Sequence, residues 1–210
     1  MIFKQKLIDD GFAYIPSFIS EEKAFALFEN YKNCKVVENS TDEQAPNSSY
    51  CVYNFKPFLE LLCVKNMDVV HLIGEMVFPT YSYARIYRKG NVLERHVDRP
   101  ACEISLTVHL WGDKKWPIYM EKPNGEAVNV VLNPGDAVLY LGCETPHWRN
   151  AYEGEEYGQV FLHYVLSNGI YWEQYFNLKN MIEQAKSKTK KFENGREMDS
   201  ESNQEARCVA

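Results

Sequence analysis

The stretch "EISLTVHLW", residues 103–111, alternates without a break. Glu103, Ser105, Thr107, His109 and Trp111 occupy one set of positions and Ile104, Leu106, Val108 and Leu110 the other. Successive side chains of an extended chain point to opposite faces, so this spacing predicts a strand with one apolar face. Just ahead of it, Tyr81, Tyr83, Arg85 and Tyr87 alternate with Ser82, Ala84 and Ile86 in the same way. Four more strand-like runs follow: "IYME" (118–121), "AVNVVL" (127–132), "AVLYL" (137–141) and "GQVFLHYV" (158–165). Pro123-Asn124-Gly125, Pro134-Gly135-Asp136 and Glu153-Gly154 punctuate them with turn chemistry. No helical period separates the runs, which disfavours a doubly wound sheet and predicts an antiparallel sandwich or barrel over about residues 79–167.

The region before residue 79 reads differently. "GFAYIP" is a short strand, and Ser20 is placed to cap a helix on which Ala24, Leu27, Phe28 and Tyr31 recur. Residues 38–50 are polar and turn-forming, hence a loop, and that loop with "PNSSYCVY" (46–53) is a candidate lid by position. Pro57 is suited to start a second helix carrying Leu61, Leu62, Val69, Val70, Leu72 and Ile73. After Asn168 the chain turns polar; "YWEQYFNLKN" is expected to begin helical, and residues 181–210 to form a helix end and a solvated tail. Lys186, Lys188, Lys190 and Lys191 then decorate that helix end. The expected class is mainly β, or α+β, with supporting N-terminal helices and one domain over residues 1–180.

Bulk properties exclude several functions. A chain of 210 residues with 45% hydrophobic and 25% charged residues can bury a sizeable core. A net charge of −6 argues against bulk binding to nucleic acid or an anionic membrane. There is no signal-peptide pattern and no apolar run of membrane-spanning length. The six cysteines (34, 51, 63, 102, 143 and 208) include no Cys-x-x-Cys pair, so free thiols in a reducing cytoplasm are expected. The sequon at Asn47-Ser48-Ser49 is idle in that setting.

"LERHVDRP", residues 93–100, is where chemistry enters. His96 and Asp98 stand two apart, so on an extended segment they share a face. Two imidazoles and one carboxylate on one face of Fe(II) leave positions open for a co-substrate and dioxygen. Such a pair arises by chance in roughly one chain in five of this composition, so a third ligand must be found. Of the other histidines, His71 lies in an apolar helical run and reads as a core or helix-end residue, while His109 and His163 lie inside strands. His147 follows an apolar strand at an expected rim, 49 residues past Asp98, and is the best third ligand.

These residues carry a resemblance. "YRKGNVLERHVD" (87–98) resembles the prolyl-4-hydroxylase-like branch of the Fe(II)/2-oxoglutarate-dependent oxygenases, with Tyr87, Gly90 and His96 at that pattern's spacing. "NPGDAVLYLG" (133–142) is similar to the family's approach to its distal histidine, and "DGFAYIPSFISEEKAFALFE" (10–29) to its N-terminal segment. The resemblance implies a double-stranded β-helix, or jelly-roll, core in which His96, Asp98 and His147 bind iron. It further implies that 2-oxoglutarate chelates the metal and is decarboxylated to succinate and CO₂ while dioxygen hydroxylates a substrate, a peptide or protein residue being one option.

One family feature is absent. The basic residue that usually clamps the far carboxylate of 2-oxoglutarate falls here on Tyr157, and no Arg or Lys occurs between Arg149 and Lys179. Arg149 is the first substitute, with the alternative of a surface arginine pairing with Glu153 or Glu155; Arg85 is the second, with the alternative of a buried structural ion pair. Tyr87 carries over as a co-substrate contact or a packed aromatic, and His109 as a polar contact or a satisfied core histidine. Gln159 and His163 are weaker lining candidates. Trp111, Trp116 and Trp148 could form a substrate surface or pack in the core. Two further readings stay open: a jelly-roll metal oxygenase that uses no keto acid, and a non-catalytic binding module.

Overall fold

The computed structural model describes residues 2–33, 44–45 and 50–177, all within one compact unit, Met1–Asn177. The expected C-terminal helix end and tail, the lysine cluster and the Asn47 sequon lie outside the described residues. Helix α1 (Ile2–Asp10), which the sequence did not announce, leads into strand β1 (Phe12–Ile15) and helix α2 (Glu21–Lys32). Ser20 caps α2, its hydroxyl accepting from the Lys23 amide at 3.2 Å. Strand β2 (Tyr50–Tyr53) precedes helices α3 (Lys56–Val64) and α4 (Asn66–Ile73), with Pro57 in the first turn of α3. The single helix expected here is thus two, divided at Lys65, and α4 ends on Gly74 in the left-handed conformation.

The β region runs β3 (Val77–Arg88), β4 (Leu93–His96), β5 (Ile104–Gly112), β6 (Ile118–Glu121), β7 (Ala127–Val130), β8 (Ala137–Leu141), β9 (His147–Arg149) and β10 (Glu156–Leu166). It forms two antiparallel sheets, ordered β1-β8-β5-β10-β3-β2 and β4-β9-β6-β7. This is a jelly roll, as expected. Residues 50–53, offered as part of a lid, are instead the edge strand beside β3, with Tyr50 opposite Ile86. The chain beyond β10 makes one short 3₁₀ segment, Trp172–Asn177, interrupted at Tyr175 and Phe176, rather than the start of a regular helix.

Both faces of the larger sheet are covered, which explains the alternation in β5. Leu106, Val108 and Leu110 join Leu27, Phe28, Phe58 and Leu62 in the core under the helices. Ser105, Thr107 and His109 point the other way and are just as buried, because that face looks into the roll. The polar positions of β5 therefore mark an interior lining, not a solvated surface. The Pro134-Gly135-Asp136 turn is locked to β5 by His109 N to Asp136 O (3.0 Å) and Gly135 N to His109 O (2.9 Å). Asp136 also accepts from Tyr14 Oη (2.6 Å) and Ser17 N (2.9 Å), fixing the turn that feeds β8. Among the described residues, no helix is long and apolar enough to cross a membrane.

Candidate metal centre and co-substrate pocket

Strands β4 and β9 are short, but they pair antiparallel and place His96 directly opposite His147. The two imidazole rings are 4.2 Å apart, and a ligand atom from each lies within 4.8 Å of one on Asp98. Both rings are oriented by their own chain. His96 Nδ1 lies 2.7 Å from Glu94 O and His147 Nδ1 lies 3.0 Å from Thr145 O, each carbonyl two residues earlier. A carbonyl can only accept, so Nδ1 carries the proton in each neutral ring and Nε2 keeps its lone pair. The two Nε2 atoms stand 3.5 and 3.7 Å from Asp98 Oδ1, a converging set of two nitrogens and one oxygen.

Asp98 is held from behind. Its amide donates to Gly142 O at 2.8 Å, and Ser105 Oγ lies 3.2 Å from its Oδ2. Ser105 Oγ also lies 2.9 Å from His163 Nδ1 and 3.0 Å from Cys102 O. Position 142 must be glycine: a Cβ there would run into Cys102 O and come within 2.9 Å of both Asp98 Oδ2 and Ser105 Oγ. Burial pushes the Asp98 carboxyl up, but the neighbouring imidazoles of His96, His147 and His163 bring it below the ordinary value. Burial, only partly offset by Asp98, lowers His147 to about 4. It lowers His163 to about 4 as well. Both imidazoles are therefore neutral at pH 7, the form that binds a metal.

The three residues open into a cavity of about 420 Å³, also lined by Tyr81, Tyr83, Arg85, Tyr87 and Arg99. Gln44, from the polar loop, lines it too. Arg85 lies between Tyr83 and Tyr87, 5.2 and 5.6 Å from their ring centres, and donates to Tyr83 Oη at 2.6 Å. It faces the cavity, as the alternation in β3 implied.

Arg149 is buried and is not among the residues that line this cavity. It does not meet Glu153 or Glu155, which pair with Lys114 and Lys89, so the surface reading of this residue is excluded. Only 1% exposed, it lies between Trp116 and Tyr157, its guanidinium carbon 4.7 and 5.1 Å from their ring centres. Nη1 donates to Trp116 O, whereas Nε and Nη2 have no hydrogen-bond partner among the described residues. His109 stacks on Tyr157 at 4.2 Å, and Gln159 stands opposite His109 in the ladder. Both ends of the Gln159 amide and His109 Nδ1 are likewise buried without a partner. Burial and the Arg149 charge lower His109 to about 3, so this ring too is neutral. Tyr87, opposite Tyr157 in the ladder, lines the cavity and belongs to a packed cluster with Trp116, Tyr152 and Tyr157.

Other expectations separate. His71 is an exposed helix-end residue, not a core one. The three tryptophans do not share a surface: Trp116 is buried in a cluster with Tyr87, Tyr152 and Tyr157, Trp111 stacks on Phe28 at 5.1 Å, and Trp148 stacks on Tyr119 at 5.4 Å on the smaller sheet. Ser105, Gly142 and Arg99 were not singled out from the sequence. Of these, Ser105 had a signal, as a polar position on the inward face of β5.

No protein-family model matches the chain, and no curated protein matches it in sequence. Solved structures do match. A prolyl-4-hydroxylase from Pseudomonas putida superposes with a TM-score of 0.62 at 15% identity, covering 77% of this chain and 96% of its own. An oxidoreductase of the 2OG-Fe(II) oxygenase family from Burkholderia pseudomallei gives 0.66 at 14%, covering 80% and 91%. HygX from Streptomyces hygroscopicus, solved with nickel and 2-oxoglutarate, gives 0.64 at 12%, covering 78% and 86%. The chain therefore has the jelly-roll fold of the Fe(II)/2-oxoglutarate oxygenases, prolyl-4-hydroxylase among them, as its sequence resemblance implied.

Proposed function

We propose that the protein is an Fe(II)- and 2-oxoglutarate-dependent dioxygenase that hydroxylates its substrate with release of succinate and CO₂. The observation that carries this reading is the Arg149 guanidinium, buried with two nitrogens that have no hydrogen-bond partner and no ion pair among the described residues. An uncompensated buried cation costs several kcal/mol, and a bound carboxylate relieves it. The donor set fits a ferrous ion: His96 Nε2, His147 Nε2 and one Asp98 oxygen would hold it on one face. Bound there, Fe(II) and the keto acid supply the activation of dioxygen that an unactivated carbon requires.

The chain's own residues divide the remaining work. Glu94 O and Thr145 O keep both imidazoles in the metal-binding tautomer, and Ser105 holds the Asp98 carboxylate in place. Arg149 would pair with the far carboxylate of 2-oxoglutarate, replacing the basic residue absent at Tyr157. Gln159 and His109 carry further buried polar atoms without a partner among the described residues. Arg85 is the second candidate for that carboxylate, from the cavity side. A peptide or protein residue is one substrate class this reading admits, since a prolyl hydroxylase of similar fold from Trichoplax adhaerens was solved with a peptide fragment.

Tyr157 motivates the second reading, a jelly-roll metal oxygenase that uses no keto acid. Anaerobic addition of Fe(II) and 2-oxoglutarate discriminates the two. The expected outcome is the weak visible charge-transfer band of a chelated ferrous site, absent in His96→Ala. A full complement of bound iron with no band and no succinate sinks the 2-oxoglutarate reading and favours the alternative. Failure to bind any stoichiometric metal sinks both and leaves a binding module.

A further inference from the structure

The candidate metal triad leaves part of the cavity unused. Arg99 follows Asp98 in the chain and lines the same cavity, yet it forms no ion pair among the described residues. Its Nε donates to Tyr81 Oη at 3.2 Å, and its guanidinium carbon lies 4.7 Å from the centre of the Tyr81 ring. Those two contacts press the planar group against the cavity wall. A guanidinium fixed in this way is pre-organised for a carboxylate, whose two oxygens match its fork.

The wall beside it is aromatic. Tyr53 lies 5.5 Å from Tyr81 and 4.5 Å from Tyr83, and Tyr83 lies 6.0 Å from Phe161, ring centre to ring centre. All four rings line the cavity, a continuous surface suited to hydrocarbon or to a flat ring. The volume of about 420 Å³ is in the range of small-molecule pockets, and the co-substrate takes part of it.

We propose that the primary substrate is a small carboxylic acid with an apolar or aromatic body. Its carboxylate pairs with Arg99 and its body lies along the Tyr53–Tyr81–Tyr83–Phe161 wall, beside the His96–Asp98–His147 group. The proposal takes the hydroxylation step from the oxygenase reading, but the recognition of the substrate stands on the cavity alone. Two arginines then handle two anions, Arg99 at the wall for the substrate and Arg149 in the interior for the co-substrate.

The test uses the full chain loaded with Ni(II) and saturating 2-oxoglutarate, so that an added acid does not simply occupy the metal. Phenylacetate, 3-phenylpropionate and hexanoate are each titrated beside the corresponding primary amide, by calorimetry or ligand-observed NMR. At least one acid is expected to bind about tenfold more tightly than its amide, the difference a charge-assisted contact makes. Arg99→Gln is expected to erase that preference, and Arg99→Lys, which keeps the charge, to retain part of it. Equal binding of every acid and its amide overturns the proposal. So does a preference that survives in Arg99→Gln, or no binding of any acid at millimolar concentration. If the wild type binds Ni(II) but no 2-oxoglutarate, the oxygenase reading fails instead, and the same titrations on the metal-free protein still decide this one.

Discussion

Arg149 stacks on Tyr157 with its guanidinium carbon 5.1 Å from the ring centre, both side chains sealed from solvent and Arg149 in no ion pair among the described residues. The pair occupies the two ends of one sequence-level puzzle: a missing cation at Tyr157 and a surplus one at Arg149. Arg149→Met tests whether they are the same cation moved. It is expected to leave metal binding intact and to weaken 2-oxoglutarate binding about a hundredfold, the effect of truncating one partner of a buried charged pair. The unfolding midpoint is expected to hold or rise, because a well-packed apolar side chain replaces an uncompensated charge. Anaerobic titration of the charge-transfer band, beside thermal unfolding, reads both.

Ser105 is expected to matter for the metal although it is not among the three donors. Its hydroxyl, 3.2 Å from Asp98 Oδ2 and 2.9 Å from His163 Nδ1, ties the carboxylate to β10. Ser105→Ala should lower metal affinity by roughly 10- to 100-fold, the usual effect of removing a group that orients a ligand. Competition with a chelator measures it, and unchanged affinity would mean that Gly142 O alone positions Asp98.

What the sequence made legible, and what it hid, divides along physical lines. Alternation in β5 and β3 revealed the strands because both are long enough for a period of two to show. Strands β4 and β9 have four and three residues, too short for any period, and only the chemistry of His96 and His147 drew attention to them. Helix α1 was missed because its nine residues carry no N-terminal acid and no strong apolar stripe. Arg149 stayed ambiguous because Glu153 and Glu155 are near in sequence, and only the fold shows that Lys114 and Lys89 hold them. Gly142 could not be read at all, since its need for a missing side chain comes from Cys102, Asp98 and Ser105, brought to it by pairing across the sheet.

Acid should weaken the metal-free fold through His109. Burial, then the Arg149 charge, holds this imidazole at about 3 in the folded state, against an ordinary value of 6.5. Between those values the unfolded chain binds a proton that the folded chain refuses, so stability is full above about pH 6.5 and is lost as pH falls. The slope contributed by this residue is at most about 1.4 kcal/mol per pH unit. Urea unfolding of wild type and His109→Gln at pH 7 and pH 5 gives the comparison; parallel losses in the two proteins would remove His109 as the cause.

Thiol reactivity should follow burial. Cys102 is sealed, and burial followed by the nearby Asp98 charge pushes its thiol up to about 12, leaving almost no thiolate at pH 7.5. Cys63 is exposed on α3. Native iodoacetamide labelling followed by peptide mass spectrometry is expected to find Cys63 modified within minutes and Cys102 untouched until the protein is denatured. Early labelling of Cys102 would show that the cavity wall opens.

Strand β5 imposes a constraint of a different kind on how this protein can change over generations. It pairs with β8 on one side and β10 on the other, so its register is fixed at Leu106 opposite Leu139 and Leu162. Gain or loss of one residue within the strand would turn every following side chain over. Aliphatic side chains would then crowd the interior of the roll while Thr107 and His109 met the helices. Point substitutions can alter stability and chemistry separately here, but a single-codon insertion or deletion strikes both together.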